Sequence, residues 1–174
     1  MRMHQDEQQP TAGEAMVAEL KWVHDLIRRD LRTVRQLAGD LSDGVAGSAA
    51  AGAIESLQVG GPLWQLKINC LQYCRFVHSH HHAESVLLFP HLRLANPALG
   101  QIVDKLEADH ARVSDLLDDV SAAALELAGQ EQVATRQRLI DGLQLLSTEL
   151  LAHLDFEEEH VSDTLRSWTS WPGW

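Results

Sequence analysis

Apolar side chains recur at steps of three and four residues along four long stretches of this chain. No useful length alternates with period two, so helices are predicted and strands are not. The first stripe is Met16, Leu20, His24, Ile27, Leu31, Val34, Ala38 and Leu41. Pro62, suited to a first helical turn, opens a second stripe of Leu66, Cys70, Tyr73, Val77, His80, Glu84, Leu87 and His91. Asn96-Pro97 reads as a cap and a first-turn proline. From there Leu99, Val103, Leu106, His110, Val113, Leu117, Val120 and Ala124 run on to a stop at Gly129. A fourth helix starts near Glu131 and carries Leu139, Leu143, Leu146, Leu150, His153, Glu157 and His160 inward, ending near Trp168. The expected fold is an all-α, antiparallel up-down-up-down four-helix bundle over residues 14–168. A disordered polar tail (1–13) precedes it and a Trp-rich tail (169–174) follows. Residues 42–61, rich in small side chains, read as a long loop.

Every stripe is broken by polar groups on its inward side: His24, His80 with Glu84, His110, and His153 with Glu157. One such histidine would pass as a satisfied core residue. Four helices repeating the pattern is different, because each unpaired buried charge costs several kcal/mol. Counting residues from the turns at ~1.5 Å per residue places the four positions level to within about one turn. His80-x3-Glu84 and His153-x3-Glu157 each set an imidazole and a carboxylate one turn apart on one face. Four nitrogens and two carboxylates on one layer match a dinuclear metal site, with two imidazoles per metal and two bridging glutamates. Ligands of this type suit iron better than magnesium or calcium, and leave zinc and manganese as alternatives.

Composition narrows the partners. A net charge of −11 and a pI near 5.2 argue against nucleic acid and against an anionic membrane surface. No apolar run approaches the ~20 residues that span a bilayer. A cytoplasmic protein, a monomer or weak homodimer, is the expectation. Cys70 and Cys74, four apart on a helix, read as small buried thiols.

The remaining histidines and acids divide by helical phase. His78 and His82 lie about 160–200° from His80 and are expected to face away from the bundle, an estimate from the helical repeat. His81 flanks the core face, where packing or a hydrogen bond to Glu84 is its expected task. His160, seven residues past His153, could cap the site or supply a nitrogen, and His91 shares the inward stripe. Glu149 could orient His153, Glu158 competes with Glu157, and Tyr73 reads as a core aromatic with a satisfied hydroxyl or as a neighbour of the metal. Trp168, Trp171 and Trp174 would pack the bundle end or a dimer contact.

The segments LKWVHDLIRRDL, HHHAESVLLFPHL, LEADHARVSDLL and HLDFEEEHV resemble the hemerythrin-like (HHE) family of non-haem di-iron four-helix bundles. The resemblance extends over roughly residues 14–168, and Pro90, six residues after Glu84, is part of its most specific segment. It implies two irons joined by an oxo or hydroxo bridge, in preference to zinc or manganese. Terminal ligands would be His24, His80, His110 and His153, and bridging carboxylates Glu84 and Glu157. Oxygen-carrying members have one more histidine where this chain has Ser114, and an aspartate where it has Glu158. The set that remains resembles the variant in proteins that repair iron centres under nitrosative stress and in an iron-sensing F-box protein. The resemblance therefore implies a protein that binds or reduces O₂, peroxide or nitric oxide in stress defence, with catalase-like or nitric-oxide-handling turnover left open. Its alternative is an iron or oxygen sensor, or an iron reservoir, whose fold responds to metal loading.

Overall fold

The computed structural model describes residues 10–44, 62–127 and 133–171. Within them lie α1 (Ala12–Gly44), α2 (Pro62–Ala83), α3 (Phe89–Ala95), α4 (Gly100–Glu126) and α5 (Val133–Arg166), with no strand among the described residues. A π-helical turn, Glu84–Leu88, joins α2 to α3, so these form one long rod of the bundle. Reciprocal bonds between Thr11 and Glu14 cap α1: each backbone N–H donates to the other's side chain, at 2.7 and 3.2 Å. Asn96 accepts from the Ala98 N–H and opens a single 3₁₀ turn, Pro97–Leu99, before α4. The expected stop at Gly129, the start at Glu131 and most of the 42–61 loop lie outside the described residues; α1 itself runs to Gly44.

Cross-helix pairs fix the register. His24, Arg28 and Arg35 meet Glu158, Asp155 and Ser147 in turn, so α1 and α5 are antiparallel. Ser85 meets His110 and Arg93 meets Asp104 and Glu107, which sets the second rod against α4 the same way. Arg112 with Glu149 and Arg138 with Glu126 do so for α4 and α5. The four rods form a square in which α1 and α4 are diagonal.

At Gly13 the backbone of α1 packs directly on the backbone of α5. A Cβ there would lie 2.3 Å from the Arg166 carbonyl oxygen and 2.6 Å from that of Leu165. Backbone cannot yield as a flexible side chain can. Gly13→Ala is therefore expected to lower stability by about 1–3 kcal/mol, the usual cost of overpacking, measured by urea denaturation.

The phase of the second rod departs from expectation. Leu87 and His91 do not face inward: Leu87 is 62% exposed, and His91 is half-buried and donates through Nδ1 to the Leu87 carbonyl at 2.6 Å. Leu88, Phe89 and Leu92 are buried in their place. The π turn inserts one residue, closing with the Phe89 N–H on the Glu84 carbonyl, and so rotates everything after Glu84 by about 100°. Pro90 supplies the cause. It has no N–H to give and its ring crowds the carbonyl four residues earlier, strain that a widened turn relieves.

The core falls into two apolar clusters. The larger runs from Ile27, Val77, Val113 and Leu154 toward the far end of the bundle. The smaller contains Leu20, Leu88, Leu106 and Val161. Between them, on every rod, sits one buried polar step: His24, His81 with Glu84, His110, and His153 with Glu157.

Candidate metal centre

The polar layer is built from the helical repeat. On α2, His80 and His81 are adjacent and so point about 100° apart. One meets α1 and the other meets α4 and α5: the His80 and His24 rings lie 5.1 Å apart, while His81 stacks on His110 at 4.0 Å. Glu84 is four residues after His80 and three after His81, which places its carboxylate between the two directions.

The distances follow that division. Glu84 Oε1 lies 3.1 Å from His80 Nε2 and 3.8 Å from His24 Nε2, whereas Oε2 lies 3.4 Å from His110 Nε2. Glu157 Oε2 lies 3.5 Å from His24 Nε2 and 3.7 Å from His153 Nε2. His110 and His153 bring their Nε2 atoms to 3.2 Å. Two groups able to hold a metal ion result: His81, Glu84, His110 and His153 form one, and His24, His80 and Glu84 the other. Glu84 belongs to both. Glu157 touches a histidine of each.

The donors fit a cation and little else. The Nε2 atoms of His24, His80 and His81 are buried without a hydrogen-bond partner, as are both oxygens of Glu84 and of Glu157. An unmet buried polar atom costs about 1–3 kcal/mol, more when charged, so a purely structural polar layer would be an expensive one. Metal ions would satisfy all of these atoms together.

Electrostatics agree. Burial, then the charge of Glu157, pushes the Glu84 carboxyl up to about 8. For His24 burial acts downward, but the close carboxylates of Glu157 and Glu84 outweigh it and hold its pKa at about 10. Burial, and behind it the neighbouring imidazoles, drops His80 and His110 to about 3. His81 is lowered for the same reasons, and His153 chiefly by burial. Four imidazoles are thus held neutral, the form that ligates a metal.

Two of the layer's rings are also held from behind. His24 Nδ1 donates to Glu158 Oε1 at 2.8 Å, and Arg28 fixes that carboxylate at 2.8 Å while reaching Asp155 at 2.6 Å. His110 Nδ1 pairs with the Ser85 hydroxyl at 2.9 Å. Such contacts set ring orientation and basicity.

The structure thus brings together all six residues expected on the layer, His24, His80, Glu84, His110, His153 and Glu157. It adds His81 as a full member. Helical phase carried the signal for this: His80 and His81 straddle the inward direction equally, so a reading that admits one as a ligand has to weigh the other. The remaining candidates lie elsewhere. Glu158 braces His24 from its outer side, and Glu149 pairs with Arg112 at 2.8 Å. His160 stacks on Phe156 and donates to its carbonyl. Tyr73 is packed in the larger apolar cluster, and its hydroxyl finds no partner, contrary to expectation. His82 is exposed; His78 is half-buried beside Asp118, 3.3 Å away. Cys70 and Cys74 are buried free thiols. Trp168 packs on the smaller cluster and Trp174 lies outside the described residues.

An antiparallel bundle with a buried histidine and carboxylate layer across all four rods defines a class of metal-binding helical proteins. A family model, the hemerythrin HHE cation-binding domain, matches residues 16–165, and the chain belongs to that family. No curated protein and no solved structure matches it. No helix among the described residues is long and apolar enough to cross a membrane.

Proposed function

We propose that this chain is a cytoplasmic non-haem di-iron protein that binds or reduces a small uncharged oxidant, O₂, peroxide or nitric oxide, in oxidative or nitrosative stress defence. The observation that carries this reading is the set of unpartnered, buried nitrogen and oxygen donors converging from four helices on two overlapping groups. His24 and His80 would hold one iron, and His81, His110 and His153 the other, with Glu84 and Glu157 shared between them. Imidazole and carboxylate donors suit iron, which when bound supplies one- and two-electron chemistry toward such oxidants.

The protein's own residues do the rest. Glu158, braced by Arg28, orients His24, and Ser85 orients His110. Apolar clusters pack on either side of the layer. The unequal nitrogen supply leaves the His24/His80 position the more open of the two, so the oxidant is expected there. A second reading, an iron reservoir or sensor whose fold follows loading, draws support from the same unmet atoms, because ions that bind only the folded chain stabilise it.

Metal analysis with visible absorption tests the reading. Two irons per chain and an oxo-bridged diferric spectrum are expected, and His80→Ala should lose the bridged spectrum together with the iron of the His24/His80 position. Purified protein that carries no metal and ignores chelators would sink it. Loading also has a proton signature. His24 and Glu84, a coupled pair, are both raised, so ferrous iron added to the metal-free protein at pH 7 should release protons, read with a pH indicator in weak buffer.

A further inference from the structure

A cavity of about 230 Å³ enters the bundle between α1 and the second rod, beside the C-terminal segment. Glu19, Leu87 and Trp171, all exposed, frame its mouth. Met16, Leu20, Leu88 and Leu165, all buried, form its inner wall. His80 and Glu84 also line it, and just behind that wall His80 Nε2 and both Glu84 oxygens are buried without a partner. The result is an apolar chamber with polar groups on one side, next to the position with fewer imidazoles.

Its size is out of proportion to a diatomic. An apolar cavity of ~150 Å³ already admits benzene, so this one has room for a body of several carbons. Its charge pattern is equally selective. No lysine or arginine lines it, and Glu19 at its mouth is acidic, so an anion finds no basic side chain of that kind on the lining. Hydrogen peroxide and nitric oxide would leave most of the apolar wall unfilled.

We propose that this chamber binds an uncharged molecule with a short alkyl or aryl body and one oxygen-bearing head, the class that includes organic hydroperoxides, with the head at His80 and Glu84. The proposal rests on the metal-centre reading for the purpose of the site, but the chamber itself can be tested without metal. Primary alcohols, stable stand-ins for hydroperoxides, present the same body and an O–H that can donate to Glu84.

The experiment titrates metal-free protein with ethanol, butanol and hexanol, by calorimetry and by ligand-observed NMR. Affinity should rise about four-fold per methylene, since a buried CH₂ contributes ~0.8 kcal/mol and 1.4 kcal/mol is ten-fold. Ala83→Phe and Val23→Phe place a ring in the chamber from opposite walls, at residues that are exposed and half-buried. Each should flatten the chain-length dependence while leaving the iron content of loaded protein unchanged. In the loaded wild type, hexanol should perturb the visible absorption, and in Ala83→Phe it should not. Affinity that does not grow with chain length, or growth that survives both variants, overturns the proposal. Chain-length-dependent binding by a protein that takes up no iron would uphold the chamber and remove the metal centre, so the two failures are distinguishable.

Discussion

Glu84→Gln is expected to leave the bundle folded and to empty both metal positions. Glu84 is the one residue common to the two donor groups, with one oxygen turned to His24 and His80 and the other to His110. The amide keeps the size and removes the charge that two cations need. Outer hydrogen-bond partners of metal ligands are already worth 10–100-fold in affinity, so losing a carboxylate common to both donor groups should cost more than about 100-fold. Metal analysis after dialysis against a weak chelator would read the result, and a variant that still holds two irons would remove Glu84 from the centre.

The same substitution has the opposite effect on the metal-free protein, and pH exposes it. Glu84 is pushed up to about 8 in the folded chain by burial and by Glu157, from an ordinary value near 4.5. A group whose folded pKa is raised contributes stability that is complete below its unfolded pKa and lost as pH climbs through the folded one. Metal-free wild type should therefore lose this contribution between about pH 4.5 and 8. Glu84→Gln has no carboxyl to ionise and loses nothing over that window. The contributions of His80, His81, His110 and His153 largely cancel in the comparison, whereas His24 is raised partly by Glu84, and its smaller rise in the variant subtracts from the difference above about pH 6.5. The Tm difference, variant minus wild type, should grow by a few degrees across the window without metal, and should reverse once iron is added to both. A difference independent of pH would mean that Glu84 is ionised throughout.

How much of this was legible before the structure depended on whether a property was periodic. The stripes of α1, α4 and α5 follow a straight 3.6-residue repeat, and Ile27, Val113 and Leu146 are buried where that repeat puts them. The layer was legible for the same reason, since histidines embedded in such stripes inherit their direction. The second rod broke the rule at a local event. The π turn at Glu84–Leu88 adds one residue, and no periodic reading contains that extra step. Pro90 carries no periodic signal of its own, and its steric demand on the preceding turn is what moves Leu87 and His91 outward. The rear contacts of the ligands were not periodic at all. Glu158 reaches His24 across 134 residues of sequence, and only the antiparallel register of α1 and α5 brings them together. The chamber was hidden likewise, because Trp171 contributes from beyond the last helix.

His81→Phe should reduce the iron content from two to one per chain, and this result bears on what the missing histidine at position 114 means. Loss of a nitrogen there reads, on sequence, as a more open centre. His81 changes that: it stacks on His110 at 4.0 Å, joins the group with Glu84 and His153, and restores a third imidazole from a different helix. Phenylalanine keeps a ring against His110 and removes only the donor, so the loss should appear in metal content and not in folding. The position held by His24 and His80 should survive, since neither depends on His81. Position 114 lies one turn after His110 and is half-buried, with its hydroxyl 3.4 Å from His78. In His81→Ala the space beside His110 is vacated, and adding Ser114→His should refill it with a nitrogen and bring the content back to two. Retention of two tightly held irons in His81→Phe would return His81 to a packing role. Failure of the double variant to recover would show that the nitrogen has to arrive from α2, with Glu84 three residues away on the same turn.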